Sequence, residues 1–143
     1  MPDACIAADV IVGFPGETDE DFKETLDFLQ KLDISYLHVF TYSKRENTLA
    51  AKMNEMVPDR VKKDRSDILH KLSVEKKHQF YLQNLGKEVN VLFESDNSHG
   101  FMHGFSENYI KVSTIFNPEL VNQVKSVKLE NLSDDGEYNV WIG

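Results

Sequence analysis

The residues able to do chemistry fall in three places along the 143-residue chain. The first is Gly13-Phe14-Pro15-Gly16 ahead of a capped helix, where backbone amides at a helix N-terminus attract anions. Glu17, Asp19, Glu20 and Asp21 follow at once, and four carboxylates would repel a phosphate from that helix end. The stretch therefore reads as a tight turn into a well-capped helix, or as the wall of a site for a neutral or cationic ligand. The second place is Lys44-Arg45, a cationic pair that could hold a carboxylate or phosphate through the planar fork of Arg. A solvated turn would have the same composition. The third is Phe101, Phe105 and Tyr109 beside Lys111, aromatic faces with one cation, which is the composition that holds unstacked bases. Aromatics in a small barrel also serve as core.

Other candidates carry less. Cys5 is the single cysteine, so it can neither close an internal disulfide nor hold a zinc ion or an iron–sulfur cluster by itself. His99 and His103 have no third ligand at metal spacing, His38 reads as a packed strand residue, and Asp9 as a carboxylate satisfied within the structure. Lys plus Arg number 16 against 24 Asp plus Glu, and a net charge of −8 argues against coating nucleic acid by bulk attraction. Any RNA contact has to be local. Residues 1–9 lack the basic start and apolar stretch of a secretory signal, and no run approaches the roughly 18 apolar residues of a membrane span. A folded, soluble protein of a reducing cytoplasm, without membrane partners, is the expectation.

Three groups of elements must position these residues. Residues 10–14 are apolar and β-branched and read as a strand buried on both faces. Thr18 and Asp21 form a capping box, and Phe22, Leu26, Leu29 and Leu32 recur at helical spacing up to an end near 31–33. Residues 36–42 read as a second buried strand, with His38, Phe40 and Tyr42 on one side, completing a right-handed β-α-β unit. Two parallel strands and one crossover helix are not a stable domain, because parallel sheets normally have more strands and both faces covered. The chain is thus expected to be the C-terminal portion of a larger protein. Residues 43–57 read as a loop with a turn or two of helix. After Pro58, Asp59 can cap a long helix to about Leu85, with Val61, Ile68, Leu69, Leu72, Tyr81 and Leu82 as its apolar stripe. Between residues 59 and 82 seven basic residues face four acidic ones, so this helix is basic inside an acidic chain.

After Gly86 the period becomes two. Residues 88–93, 100–105, 109–112, 123–129 and 138–142 read as five short strands, which suggest a small closed barrel on the scale of an OB-fold. Residues 83–143 hold four Lys against nine Asp plus Glu, so the barrel alone should bind RNA weakly and with salt sensitivity. The expected fold class is α/β plus all-β. It comprises the last β-α-β portion of a partial parallel barrel with a linker helix over 59–82, together residues 1–82, and a five-stranded OB-like barrel over 83–143.

Asp9-Val10-Ile11-Val12-Gly13-Phe14-Pro15-Gly16-Glu17-Thr18 with Asp21-Phe22 resembles a late-strand motif of the radical S-adenosylmethionine methylthiotransferases. Residues 36–45, Tyr-Leu-His-Val-Phe-Thr-Tyr-Ser-Lys-Arg, then Thr48 and residues 50–53, are similar to the subgroup acting on threonylcarbamoyl-adenosine in tRNA. Residues 83–143 are similar to the family's RNA-binding TRAM domain, most recognisably at 104–112. Four positions depart from the pattern: Glu46-Asn47 stands for a usual Pro-Gly, Thr41 for a common Pro, and Asn122 for a frequent Gly. The family's Cys-x-x-x-Cys-x-x-Cys does not occur.

The resemblance implies a parent enzyme that inserts a methylthio group at C2 of threonylcarbamoyl-adenosine beside the tRNA anticodon. It implies S-adenosylmethionine and two four-iron four-sulfur clusters as cofactors, with the cluster ligands outside this chain, and no catalytic or metal-ligating residue within it. Ile11, Val12, Gly13, Val39 and Phe40 would lie against the cofactor's adenine and ribose, and Arg45 against an acid group of cofactor or substrate. Lys44, Lys62, Lys63, Phe101, Phe105, Tyr109 and Lys111 would contact tRNA. The chain alone would be inactive, and exposed sheet edges leave non-native self-association of a truncated chain open. Alternatives are a methylthiotransferase for isopentenyl-adenosine tRNA or a ribosomal protein, and an RNA-binding module without catalysis.

Overall fold

The computed structural model describes residues 3–134, 136–140 and 142; Met1 and Pro2, and Trp141 of the expected last strand, lie outside these. Packing divides the chain into two compact units, Ile6–Lys77 and Met1–Cys5 with His78–Gly143, and the division falls inside the long helix. Among the described residues no helix is long and apolar enough to cross a membrane.

In the first unit, strand β1 (Ala7–Val12), helix α1 (Asp19–Lys31) and strand β2 (Tyr36–Thr41) form a β-α-β motif. The strands are parallel, in register from Ala7 opposite Tyr36 to Val12 opposite Thr41. Local chemistry fixes the ends of α1. Thr18 Oγ1 accepts from the Asp21 amide at 3.1 Å and the Asp21 carboxylate accepts from the Thr18 amide at 2.9 Å. The Thr18 backbone and hydroxyl donors together hold the Asp21 carboxyl below the usual carboxylate range. At the other end the Lys76 ammonium donates to the carbonyls of Gln30 (3.3 Å) and Leu32 (2.7 Å), placing positive charge where the helix dipole is negative.

Lys76 belongs to helix α2 (Asp59–Gln83), whose inward side is only in part the apolar stripe expected. Leu69, Leu72 and Tyr81 are buried and Val61 is half-buried, but Ile68 and Leu82 are exposed. Arg65, Ser66 and Lys76 are buried instead. Hydrophobic periodicity cannot register such a face, because its polar members are inward only by virtue of specific partners. Ser73 Oγ, for instance, both accepts from the Leu37 amide and donates to the Leu37 carbonyl, each at 2.9 Å.

The core of this unit is Val12, Phe22, Leu29, Leu37, Leu69 and Leu72, with Ala8, Val10 and Val39 packed against it. It covers one face of the strand pair. The expectation of strands buried on both faces is corrected here: Ile11 is 60 % exposed and Phe40 52 %. Alternation sends Ala8, Val10, Val12, Leu37 and Val39 toward the core and Asp9, Ile11, His38 and Phe40 the other way. Asp9 and His38 are accordingly exposed, against the reading of His38 as a packed residue, and His38 meets Tyr36 edge-on at 5.1 Å.

The second unit holds β3 (Glu88–Phe93), β4 (Phe101–Ser106), β5 (Lys111–Ile115), β6 (Val124–Lys128), β7 (Asn131–Leu132) and β8 (Tyr138–Asn139). They form one sheet in the order β6-β3-β4-β5-β8-β7, antiparallel throughout except for the parallel β5–β8 pair. The sheet has six strands where five were expected. The addition, β7, is two residues long and sits in an Asn/Ser/Asp stretch with no alternation to announce it. Phe80, Tyr81, Val89, Val91, Phe93, Met102, Ile110, Val112 and Tyr138 build the core. Tyr138 stacks on Tyr81 with ring centroids 5.9 Å apart and donates its hydroxyl to the Tyr81 carbonyl at 2.6 Å. Burial pushes the Tyr138 phenol up, with the neighbouring Tyr81 adding to the effect. Gly104 leaves room for the neighbouring strand β3, since a Cβ there would lie 2.6 Å from the Leu92 carbonyl oxygen.

Candidate functional site

Each unit presents one exposed surface assembled from residues singled out in the sequence. In the first unit it is the bare face of the strand pair. Ile11 and Phe40 are register partners on adjacent strands, and Asp9 and His38 are the pair two residues earlier, so two apolar residues share this face with an acid and an imidazole. Val12 and Val39 point to the other face and pack in the core; of these two residues only the backbone borders the open face. The Val12 carbonyl is taken by the Tyr42 amide at 2.8 Å.

The loop after β1 is held rigidly against α2. Gly13 adopts φ +76°, and a Cβ on it would overlap the Lys62 Cγ, so glycine is required on both conformational and steric grounds. Its amide donates to the Glu17 carboxylate. That carboxylate lies 3.2 Å from Arg65 Nη1, which also donates to the Glu17 carbonyl at 3.2 Å, while Nη2 reaches Asp19 at 2.7 Å. Arg65 further lies over the Phe22 ring at 5.4 Å, and its side chain is 6 % exposed. These charge-assisted bonds explain the acidic helix start: two of its carboxylates serve Arg65.

Lys62 is only 12 % exposed, paired to Asp59 at 3.1 Å with its ammonium 6.0 Å from the Tyr42 ring centroid. Lys63 is exposed and pairs with Asp67 at 2.6 Å. Lys44 and Arg45 are exposed beyond β2, where the Arg45 carbonyl accepts from Thr48 Oγ1 at 2.8 Å.

In the second unit the surface is the outward face of the sheet. Val124, Leu92, Phe105 and Lys111 are successive register partners across β6, β3, β4 and β5, so they form one row over four strands. Phe101 lies on the same face four residues along β4, opposite the exposed Ile115. Tyr109 rises next to Phe105, ring centroids 6.4 Å apart, from a backbone at φ 62°. Phe105, Tyr109, Leu92 and Val124 line an open groove of about 510 Å³.

At the end of the row a charge cluster forms. Lys111 is ion-paired with Glu137, whose other oxygen is 3.5 Å from His103 Nε2, and His103 Nδ1 is held by Asp96. Desolvation would raise the Asp96 carboxyl, but the His103 ring and amide hydrogen bonds outweigh it and hold the group below the usual range. Sequence reasoning missed Leu92 and Val124, although an apolar residue at an outward position of an alternating strand was the available signal. Glu137 lies 26 residues from Lys111, and nothing local marks the pairing. Among the described residues no group of three His, Cys, Asp or Glu side chains could hold a metal ion, and Cys5 packs against the core of the second unit.

No family model matches the chain. Individual proteins do. It is 44 % identical over 111 residues to the threonylcarbamoyladenosine tRNA methylthiotransferase MtaB of Aquifex aeolicus, covering 78 % of this chain and 26 % of that protein. It is 38 % identical over 135 residues to the MtaB of Thermotoga maritima, covering 94 % of this chain and 31 % of the relative. The tRNA-2-methylthio-N(6)-dimethylallyladenosine synthase of Bacillus subtilis is 39 % identical over 142 residues, with 96 % of this chain and 28 % of that protein matched. The chain thus spans about a quarter to a third of the length of these relatives. Similarity at this level over nearly the whole chain, to proteins of one chemistry under two names, places it: the chain belongs to the tRNA methylthiotransferase family.

Proposed function

We propose that this chain is the C-terminal part of an enzyme that adds a methylthio group at C2 of threonylcarbamoyl-adenosine beside the tRNA anticodon. Residues 1–82 supply the last β-α-β portion of a partial parallel barrel with its linker helix, and residues 83–143 an OB-like, TRAM-type RNA-binding domain. The observation that carries this reading is the pair of unlike exposed faces within a chain of this family: an apolar face at parallel strands and an aromatic row ending in a lysine.

The first face suits S-adenosylmethionine. Ile11 and Phe40, paired in register and more than half exposed, offer a flat apolar surface to an adenine, while Val12, Gly13 and Val39 border it with backbone. When bound, with a reducing iron–sulfur cluster, that cofactor supplies radical chemistry at an unactivated C–H bond. The residues here do not fit the clusters themselves, since Cys5 is a single thiol and packs against the sheet's core. The chain's part is binding and orientation: Arg65 and Glu17 fix the Gly13–Gly16 turn at the end of β1, and Arg45, whose exposure beyond β2 leaves it open to a ligand, would meet an acid group. On the second face Phe105, Tyr109 and Phe101 stack splayed bases and Lys111 meets a phosphate. Lys44 and Lys63 add exposed positive charge, and Lys62, engaged with Asp59 and Tyr42, supports the loop instead. By itself the 143-residue chain carries out no turnover.

The test is mass spectrometry of tRNA nucleosides from cells lacking the gene that encodes this chain. Loss of the methylthio form of threonylcarbamoyl-adenosine supports the reading. A second reading, dimethylallyl-adenosine as the substrate, is favoured by the 39 % identity to the Bacillus subtilis synthase and would show as loss of that methylthio nucleoside instead. An unchanged nucleoside profile overturns both.

A further inference from the structure

Lysines are scarce in the sheet unit and nearly all engaged. Lys87 holds Asp3 at 2.6 Å, Lys128 holds Glu130 at 2.7 Å, and Lys111 holds Glu137. Lys125 has no ion-pair partner among the described residues, but its register partner is the buried Val91, so it lies on the face of β6 opposite to Val124 and away from the aromatic row. A polyanion approaching Phe105 and Tyr109 therefore meets one nearby ammonium, and that ammonium is already neutralised. Glu137 does more than pair with Lys111: its second oxygen faces His103, the other base at this end of the row, which Asp96 holds from behind. The backbone of Glu137 is fixed by Ser133, whose hydroxyl and amide both donate to the Glu137 carbonyl, at 2.7 and 2.8 Å. The carboxylate is thus presented to the two bases by a built turn.

We propose that Glu137 sets the RNA affinity of this face, as an intramolecular competitor that occupies Lys111 until a phosphate displaces it. The inference rests on the reading of the outward face as an RNA surface. A carboxylate and a phosphate oxygen accept the same ammonium hydrogens, so each phosphate contact at Lys111 is formed by exchange and not by simple addition. The arrangement keeps the face selective, because bases must stack on Phe105 and Tyr109 before the exchange of anions becomes favourable.

The experiment is a fluorescence-anisotropy titration of the 143-residue chain with a labelled single-stranded RNA oligonucleotide over a series of salt concentrations. Glu137→Gln keeps shape and hydrogen bonding while removing the charge, and should tighten binding about two- to fivefold, the range an exposed ion pair is worth. It should also steepen the slope of log affinity on log salt by about 0.7, the share of one phosphate on a single strand, because the contact at Lys111 then forms by net addition with no carboxylate uncovered in exchange. In a Lys111→Met background the same substitution should change affinity less than about twofold. Glu137→Ser serves as the second variant if Glu137→Gln does not fold, as judged by circular dichroism. Unchanged affinity and slope in Glu137→Gln, with Phe105→Ala still weakening binding, overturn the proposal and leave the RNA reading standing. Indistinguishable titrations for the unmodified chain and Phe105→Ala overturn the RNA reading and the proposal with it.

Discussion

Tyr109 holds a left-handed backbone at φ 62° with 71 % of its surface in solvent, so a Tyr109→Gly substitution separates what the residue does for the fold from what it does for a ligand. The turn survives without the side chain: the Tyr109 amide donates to the Ser106 carbonyl at 3.0 Å, and the Ile110 amide to Ser106 Oγ at 2.9 Å. Glycine relieves a left-handed penalty of about 1–2 kcal/mol. Against that stand about 0.5–1 kcal/mol of added chain entropy in the unfolded state. The lost ring contact with Phe105, 6.4 Å away, costs at most about 0.5–1.5 kcal/mol and less at this exposure. The net change in stability should fall within about 1 kcal/mol of zero. RNA binding should behave differently. Removing one stacking platform costs about 1–3 kcal/mol, roughly a 5- to 160-fold loss of affinity. Urea unfolding of the sheet unit and RNA anisotropy on the same samples read the two effects. A destabilisation beyond about 2 kcal/mol would show that the ring is part of the core. An unchanged dissociation constant would show that it is not part of an RNA surface.

Arg65→Met should destabilise the first unit by about 3–5 kcal/mol in urea unfolding, because it strands the largely buried Glu17 carboxylate, while the exposed Asp19 adds little. Adding Glu17→Gln should recover part of that loss; full additivity would refute the coupling. Gly104→Ala should cost about 1–3 kcal/mol of sheet-unit stability by forcing β3 and β4 apart, and a neutral result would mean the strands can slide. Tyr138 has its phenol raised by burial, so its contribution to stability is complete below pH about 10 and is lost as pH climbs through the folded-state value. Tyr138→Phe should flatten that alkaline loss. At neutral pH it should cost about 0.5–1.5 kcal/mol, since the Tyr81 carbonyl keeps the Asn84 amide as a donor.

Local signals in the sequence were enough for the β-α-β motif, since the Thr18–Asp21 capping box closes within three residues and two apolar runs flank it; the first strand, expected over 10–14, runs instead from Ala7 to Val12, and its register with β2 needed the structure. Asn47 and Asn122, which stand where the family pattern carries glycine, adopt φ 65° and 57°, so the left-handed backbone is kept by the residue that tolerates it best after glycine. What the sequence hid was non-local. The inward polar face of α2 depends on carbonyls and carboxylates 36 to 48 positions away. Two-residue β7 exists only because β8 is beside it. The charge partner of Lys111 comes from the turn before β8, next to β5 in the sheet but 26 residues on in the chain. The aromatic row itself was legible as Phe101, Phe105 and Tyr109, but its apolar continuation through Leu92 and Val124 needed the strand register.

The central claim, that RNA is held on the outward face of the six-stranded sheet, is tested most directly by backbone amide chemical-shift mapping of the isotopically labelled 143-residue chain titrated with single-stranded RNA. Shifts concentrated at Leu92, His103, Phe105, Tyr109, Lys111 and Val124 are expected. Shifts confined to Lys44, Arg45 and the start of α2, with the sheet face silent at saturating RNA, would contradict it.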